Sequence, residues 1–352
     1  MGTYSLSIAD MDANGAGIYL CNVDPDSGSF GKVILARNCI NPSYLAISND
    51  NHFVYAVKET FISDEPAVVA MKVNDNGTLD TLNSQAVPGE LPCHIAIAPN
   101  GKYIATAQYG SGDICIFPIS KDGIILPLTC QIKHFGSSLL NTRQDSPHAH
   151  FVHFLPEAKV LAVIDLGLDK IFFYPFSDKV GLVETNAVDI VELNAGSGPR
   201  HMAFSAEYNA AYVINELNEN ISQLRLDKGK WQLLKNQPAF SLEKNIEGAA
   251  AALKISQDNR HGYASDRRQS HILHFTINQN DNDILCQKTI STQGYGPRDF
   301  ALTPDERLIV VANQYSNSLT SFFRDKTTGE LTATGHSVVI GSPVCIKFKN
   351  NV

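Results

Sequence analysis

The sequence predicts an all-β protein built from one repeated unit. Short strands rich in β-branched and aromatic residues recur along the chain, and turns of Gly, Asn, Asp and Pro separate them. The segment "LPCHIAIAPNGKYIATAQYGSGDICIFPI", which begins at residue 91, shows three such strands and the two turns between them. Seven copies of this pattern occur, and their period is typical of a β-propeller blade.

The copies are aligned on the turn residue that follows the first strand of each unit. Successive anchors lie 50, 57, 50, 51, 47 and 46 residues apart, so the copies fill residues 1–352 as one domain. The seven anchors are Asn49, Pro99, Pro156, Ala206, Gln257, Pro304 and Asn350. A single blade cannot cover both of its faces, and we therefore expect a seven-bladed β-propeller.

The two ends of the chain are expected to share one blade. The last copy stops after one strand, whereas the N-terminal segments "GTYSLSIA", "AGIYLCNVD" and "GSFGKVILARN" have no first strand before them. Joining the ends closes the ring and leaves no long free sheet edge. The alanine-rich segment 243–255 favours a helix by local propensity, but its place in the repeat predicts that a strand begins there.

Composition limits the classes of function. With 43% hydrophobic and 18% charged residues, the chain is expected to be globular. Its seven cysteines form no CxxC pair and are interpreted as reduced, buried thiols of a cytoplasmic protein, and no signal peptide or membrane span is evident. A net charge of -8 argues against nucleic-acid and membrane partners.

The repeat predicts two rings of equivalent positions at one end of the propeller. Six residues before each anchor, at the entry of the innermost strand, lie Ser43, Cys93, His150, Arg200, Ala251, Arg298 and Val344. Ten residues after each anchor, just past the second strand, lie Glu59, Tyr109, Leu166, Glu216, Arg267 and Gln314, with Tyr4 as the expected seventh. The rings bring three arginines, a histidine and two glutamates to one mouth in a protein that is poor in charge.

Other polar residues near the rings have structural interpretations. A single Arg at a blade turn is more often a surface residue, but several in one channel indicate an anionic ligand. His201 is expected to point away from Arg200, either packed or supporting it, and His148 either lines the rim or caps a turn. The residues just before the second ring are expected to bond turn backbone; they are Asp165, Asn215, Asp266 and Asn313.

The residue types indicate acid–base chemistry on an anionic carbonyl compound. Arginines bind carboxylate or phosphate and stabilise an oxyanion, and His with Glu can transfer a proton. No HExxH, Gly-rich phosphate loop or GxSxG motif is present, so neither a metal nor a cofactor is expected. These residue types alone leave both hydrolysis and cyclisation open.

Five segments spread along the chain are specific in combination: "SPHAHFVHFLP", "GSGPRHMAF", "VINELN", "YASDRRQSHI" and "GYGPRDFALTP". On these segments the chain resembles the seven-bladed propeller lactonases, which include the bacterial type of 6-phosphogluconolactonase and the fungal carboxymuconate lactonizing enzyme. The active-site pattern of that family maps onto His150, Arg200, Glu216 and Arg267. Here Asp266 stands where Asn is common, and Arg268 follows Arg267, which leaves open which arginine faces the channel.

The resemblance implies hydrolysis of 6-phosphogluconolactone to 6-phosphogluconate, a reaction of the pentose phosphate pathway. Arg298 and either Arg200 or Arg267 would hold the phosphate, the other arginine would stabilise the oxyanion, and Glu216 or His150 would activate water. The expected partner is a small anionic lactone, bound by a monomer or weak homo-oligomer. Further substrate-binding candidates are Arg298, His148, His201, Tyr109, Glu59 and Gln314.

Other functions are compatible with the same fold. A lactonizing isomerase would use the same His and Glu to move a proton on a carboxylated muconate. A non-catalytic propeller would bind protein or peptide on its face, but the Trp-Asp blade signature is absent and Trp231 is the only tryptophan. Six-bladed calcium-dependent lactonases are disfavoured by the number of repeats and by the cationic mouth.

Overall fold

The chain has an all-β propeller fold. A computed structural model describes residues 2–3, 15–156, 159–185, 188–241 and 247–349. The elements in these ranges are β-strands apart from one short 3₁₀ turn, Ile62–Asp64. None of the described residues forms a helix long and apolar enough to cross a membrane.

The chain divides into two compact units, Cys39–Arg200 and Met1–Asn38 with His201–Asn351. The first unit contains three antiparallel sheets, each made of consecutive strands. Sheet A is β4 Leu45–Ile47, β5 Phe53–Lys58, β6 Ala67–Val73 and β7 Leu79–Ala86. Sheet B is β8 Pro92–Ile97, β9 Tyr103–Gln108, β10 Asp113–Pro118 and β11 Cys130–Lys133. Sheet C is β12 Ala149–Phe154, β13 Val160–Asp165, β14 Lys170–Ser177, β15 Leu182–Val183 and β16 Asp189–Glu192.

The boundary between the units falls within β17, the first strand of sheet D. Sheet D is β17 Pro199–Phe204, β18 Ala210–Asn215, β19 Asn220–Asp227 and β20 Lys230–Pro238. Sheet E is β21 Ala250–Ile255, β22 His261–Asp266, β23 His271–Ile277 and β24 Ile284–Ser291. Sheet F is β25 Pro297–Leu302, β26 Leu308–Asn313, β27 Ser318–Arg324 and β28 Leu331–Val339. The second unit also contains β1 Gly2–Thr3, β2 Gly17–Leu20, β3 Ile34–Asn38 and β29 Pro343–Cys345.

The chain termini form two shorter sheets. Strands β2 and β3 pair with each other, and β1 pairs with β29 near the C-terminus. Most of the segment "GTYSLSIA", including Tyr4, lies outside the described residues, as does the anchor Asn350. Six sheets of four or five strands are therefore observed in the described part of the chain.

The alanine-rich segment tests whether the repeat outweighs local helix propensity. Residues 242–246 lie outside the described ranges, but Ala250–Ile255 forms the first strand of sheet E and pairs with His261–Asp266. The prediction of a strand is confirmed for this part. Ala250, Ala251 and Ala252 are fully buried, so their small side chains suit an inner strand that packs closely on its neighbours.

The second strand of a sheet is the most deeply buried. Every residue of β9, β18, β22 and β26 is buried. Outer strands such as β20 consist mostly of exposed and half-buried residues instead. Continuous apolar runs therefore form strands covered on both faces, and the core lies between successive sheets.

The cysteine prediction is confirmed only in part. The six cysteines whose side chains are described are free thiols, as expected of a reduced protein. Cys93, Cys115 and Cys345 are buried, but the other three are half-buried. Those three lie near sheet edges rather than on the inner strands, where the packing is tightest. The Cys286 side chain lies outside the described part.

Both predicted sets of ring positions occupy recurrent places in the sheets. The second-ring residues follow directly after the last residue of β5, β9, β13, β18, β22 and β26. His150 and Arg298 are extra residues in β-bulges, because the strand register skips from Ala149 to Phe151 and from Pro297 to Asp299. A bulge redirects a side chain relative to the regular pleat. Local irregularity therefore helps to position these two predicted site residues.

A recurrent hydrogen bond joins the turn after a second strand to the start of the next inner strand. The accepting residue lies three positions after the second ring and has a left-handed backbone, with φ between 52° and 59°. Its side chain accepts a hydrogen bond from the backbone N–H located eight residues before the next anchor. The pairs are Asp169 with Gly198 (2.7 Å), Glu219 with Ala249 (2.6 Å), Ser270 with Gly296 (3.4 Å) and Asn317 with Ser342 (2.8 Å). We call these four side chains the latch residues.

Asp169 is the most heavily used latch residue. Its carboxylate also accepts the N–H of Gly196 at 2.7 Å and the hydroxyl of Ser138 at 2.6 Å, and the side chain is buried. Buried donors that lose their acceptor carry an unfavourable desolvation penalty. The turn ahead of β17 therefore depends on one carboxylate.

Replacing Asp169 with Ala should lower the free energy of unfolding by about 3 kcal/mol, because one buried and two half-buried donors would lose a charged acceptor. The measurement is urea unfolding. An Asp122→Ala control, at an exposed turn, should change stability by less than about 0.5 kcal/mol. Equal stabilities of the two variants would contradict the assignment of the latch.

Candidate active site

His150 lies at the entry of sheet C and is buried. Its ring packs edge-on against the ring of Tyr109, with centroids 5.6 Å apart and an interplanar angle of 77°. Tyr109 directly follows β9, so one residue from each predicted ring is present in this contact. The two positions are 41 residues apart in the sequence, and their contact agrees with the register predicted from the repeat.

Tyr109 also binds His148, a residue predicted to lie at the rim. The two rings stack at 4.5 Å with an interplanar angle of 18°. The Nδ1 of His148 lies 2.7 Å from the Tyr109 carbonyl oxygen. A carbonyl can only accept, so Nδ1 carries a proton and neutral His148 presents an unprotonated Nε2. The tyrosine therefore holds both histidines in fixed orientations.

Asp165, the last residue of β13 in sheet C, contacts both His148 and His134. This carboxylate is fully buried. Its Oδ1 accepts the backbone N–H of His148 at 2.8 Å and that of Leu168 at 3.1 Å. Its Oδ2 lies 2.6 Å from Nδ1 of His134. The Nε2 of His134 lies 3.0 Å from the Tyr174 hydroxyl. Burial and the charge of Asp165 raise the pKa of Tyr174, so its hydroxyl stays protonated and donates to His134.

The predicted turn-bonding role is confirmed at Asp165 and Asp266. Asp266 accepts the N–H of Gln269 at 2.5 Å. Asn215 and Asn313 are also fully buried, but they donate to the hydroxyls of Ser222 and Thr320 on the neighbouring strands. The asparagine prediction was therefore wrong about the partner, because the amide reaches across to the third strand instead of the turn.

Arg200 follows the turn that Asp169 fixes. The N–H groups of Gly196 and Gly198 bind the two oxygens of this carboxylate, and Arg200 is the second residue of β17. Arg200 and the adjacent His201 are each 3% exposed. The first "GPR" segment therefore delivers a cation into a protected environment.

Glu216, which is buried, and Arg267, which is half-buried, form an ion pair in the second unit. Nη2 of Arg267 lies 3.0 Å from Oε2 of Glu216, and the side chains are 13% and 5% exposed. Nε of Arg267 donates to the carbonyl oxygen of Ala249 at 3.0 Å. Arg268 is exposed, so Arg267 is the arginine that makes the buried contact. Glu216 and Arg267, onto which the active-site pattern of the resembled family maps, are thus in direct contact.

A second acidic pair lies next to this ion pair. Glu219, a latch residue, lies near Asp266, and burial together with the Asp266 charge raises the pKa of Glu219 to about 8. Glu219 is therefore protonated at neutral pH. The Ala249 peptide joins the two pairs, since its N–H binds Glu219 while its carbonyl binds Arg267.

The remaining predicted residues occupy equivalent turns. Arg298 is half-buried in the β25 bulge, and Gln314 is buried with its N–H donating to Gly296 at 2.9 Å. Glu59 is half-buried, and its carbonyl accepts from the Asn41 side chain at 3.1 Å. Ring contacts and an ion pair thus bring the predicted residues into two groups, one around Tyr109 and one around Glu216.

The structure adds two residues to the candidates from sequence. Arg143 donates to the Tyr109 hydroxyl at 3.3 Å, and Glu219 binds the Ala249 peptide that holds Arg267. The longest spacing between anchors, 57 residues, marks the insertion that carries Arg143. Glu219 lies three residues after the second-ring residue Glu216. Comparing that position across the repeated units would have identified it. Among the described residues, no three His, Cys, Asp or Glu side chains are grouped to hold a metal ion.

Comparison with known proteins identifies the family. The sequence profile of the family described as "Lactonase, 7-bladed beta-propeller" matches residues 1–348. The chain belongs to this lactonase family. It is 31% identical over 339 residues to the protein named 6-phosphogluconolactonase in Bacillus subtilis (strain 168), covering 96% of this chain and 95% of that protein.

Two further similar proteins have names that refer to lactones. A protein named 6-phosphogluconolactonase in Formosa agariphila is 30% identical over 330 residues, covering 93% of each chain. The solved structure of a periplasmic gluconolactonase from Pseudomonas aeruginosa has a TM-score of 0.88 and 26% identity, covering 97% of this chain and 96% of that one. The fold of this chain is therefore shared with that solved structure over nearly the full length of both chains.

Glu219→Gln should change how the stability of this lactonase depends on pH. The pKa of Glu219 is about 8 in the folded state, above its ordinary value of 4.5, so the folded chain keeps a proton that the unfolded chain releases. The free energy of unfolding should therefore fall as the pH rises from about 4.5 to 8. Gln can still accept from Ala249 but does not titrate.

Thermal unfolding between pH 5 and pH 9 measures this effect. The wild type should lose more stability than Glu219→Gln across the interval, whereas Glu207→Gln, at an exposed position, should follow the wild type. Parallel curves for all three proteins would show that the Glu219–Asp266 pair does not retain a proton.

Proposed function

We propose that this lactonase hydrolyses 6-phosphogluconolactone to 6-phosphogluconate. The names of the relatives from Bacillus subtilis and Formosa agariphila support this substrate. The observation that carries the proposal is the Glu216–Arg267 ion pair, at two positions of the active-site pattern of the family. A cytoplasmic location and a place in the pentose phosphate pathway are predictions that follow from this substrate.

In the proposed reaction, Glu216 takes a proton from water as the oxygen of the water attacks the lactone carbonyl carbon. Uptake of that proton neutralises the counter-ion of Arg267, so the guanidinium gains attraction for the oxyanion as the oxyanion forms. The contact of Nε with Ala249 fixes the orientation of Arg267 in advance. Proton transfer and oxyanion stabilisation are thereby coupled within one ion pair.

The ring carbon–oxygen bond then breaks, and His150 donates a proton to the departing ring oxygen. Arg200 and Arg298 hold the phosphate of the substrate through charge-assisted hydrogen bonds. The joint action of these residues on one substrate is part of the proposal. No metal ion is needed for any of these steps.

We also propose that the chain forms seven blades. The family description supports this number, and the pairing of β1 with β29 supports a seventh blade shared by the two ends of the chain. Strands β2 and β3 would supply its outer part. Such a blade would leave no long sheet edge unpaired.

The test of function is turnover of freshly generated 6-phosphogluconolactone by the purified protein, corrected for spontaneous ring opening. Hydrolysis well above the background rate is expected. Assays with unphosphorylated gluconolactone and with a carboxylated muconate separate the proposed activity from its alternatives. Turnover of the muconate alone, or of none of the three, would refute the proposal.

Glu216→Gln should lower kcat by about 100-fold or more, the scale of losing a general base. Gln keeps the size of the side chain and can still accept from Arg267, so the melting temperature should change little. Glu207→Gln is the matched control in sheet D and should retain wild-type kcat. Unchanged turnover in Glu216→Gln would remove Glu216 from the mechanism.

A further inference from the structure

The connection between β11 and β12, residues 134–148, carries an arginine that lies outside the repeated pattern. This connection falls within the longest interval between anchors, the 57 residues from Pro99 to Pro156. Despite its length, this connection is held by buried side chains. Arg143 near its end is therefore placed by the fold.

Gln144 fixes the connection from inside. Its side chain is fully buried, and Nε2 donates to the Leu166 carbonyl oxygen at 2.8 Å. Its backbone N–H donates to Leu140 at 2.6 Å, and its carbonyl accepts from Ser138 at 2.8 Å. On the facing turn, a Cβ at Gly167 would lie 2.0 Å from a backbone oxygen of the connection, so only glycine permits this approach.

Arg143 and Tyr109 place two hydrogen-bonding groups beside the predicted catalytic histidine. Nη2 of Arg143 lies 3.3 Å from the Tyr109 hydroxyl, while the same ring forms an edge-to-face contact with His150. His148 stacks on the ring, and its Nε2 lies 3.9 Å from the exposed carboxylate of Asp145. Arg143, Tyr109 and His148 are half-buried, so a solute can reach them.

We propose that Arg143 and Tyr109 bind the phosphate of a phosphorylated sugar lactone whose carbonyl lies toward His150. In 6-phosphogluconolactone the phosphate is attached at the far end of the molecule from the carbonyl, and Arg143 is separated from His150 by one phenol ring. A guanidinium binds phosphate oxygens in a bidentate manner, and the phenol hydroxyl donates a further hydrogen bond.

This contact adds to those of the other arginines and rests on the proposed function. An unphosphorylated lactone offers no charge to Arg143. The inserted connection is therefore a specificity element, which favours phosphorylated over unphosphorylated lactones without taking part in the chemical step.

The experiment compares kcat and KM for 6-phosphogluconolactone and for gluconolactone. Arg143→Ala should raise KM for the phosphorylated lactone by about 10- to 100-fold, the effect of losing a charged hydrogen bond, with kcat within about threefold. Its kcat/KM for gluconolactone should change much less. Tyr109→Phe should also lower kcat/KM for 6-phosphogluconolactone relative to kcat/KM for gluconolactone. Arg143→Lys should restore part of the preference that Arg143→Ala loses.

Lys133→Ala is the matched control, since it removes an exposed cation at the end of β11 and should leave the substrate ratio unchanged. Equal effects of Arg143→Ala on both lactones, or no effect on either, would overturn the inference while the proposed function stands. Melting temperatures of all variants show whether each is folded.

A binding measurement separates this inference from the proposed reaction. Inorganic phosphate, titrated by isothermal calorimetry, should bind the wild type more tightly than Arg143→Ala by about 10-fold. If the wild type hydrolyses neither lactone, the proposed function fails, and this titration still tests the subsite. Equal phosphate affinities of the two proteins would refute the subsite.

Discussion

The latch hydrogen bond is the constraint on which the placement of the charged side chains depends. Each latch residue lies in a left-handed turn and binds an amide ahead of the next inner strand. Asp169 thereby fixes the turn before Arg200, and Glu219 fixes the peptide that holds Arg267. One local hydrogen bond, repeated along the chain, therefore helps to position a predicted site arginine in each unit. The backbone of the fold and the chemistry of the site are therefore coupled through a few buried acceptors.

The electrostatics of the second unit follow from the same arrangement. Two acids lie three residues apart, yet their charge states differ because their neighbours differ. Glu216 faces the Arg267 guanidinium and has its charge compensated, whereas Glu219 faces Asp266 and holds a proton. A buried charge is tolerable only when it is paired or neutralised. The Ala249 peptide bonds one member of each pair, through its N–H to Glu219 and through its carbonyl to Arg267.

Much of the fold could be predicted from the repeat because each copy constrains the others. The six observed second strands end one residue before the predicted ring, and the repeat correctly outweighed helix propensity at Ala250–Ile255. Arg143 could not be predicted, because its connection has no counterpart in the other copies. Glu219 was missed since Glu is uncommon in a left-handed turn. The predicted hydrogen-bond partners of Asn215 and Asn313 were wrong, because the sequence does not reveal how far a side chain reaches across strands.

Amide hydrogen exchange measured by NMR tests the latch most directly. We expect the latch amides to exchange as slowly as amides within the central strands, because each is bonded to a side-chain acceptor at a loop position without a strand partner. The amides concerned are those of Gly198, Ala249, Gly296 and Ser342. Exchange as fast as that of an exposed turn amide, such as Lys121, would contradict the account.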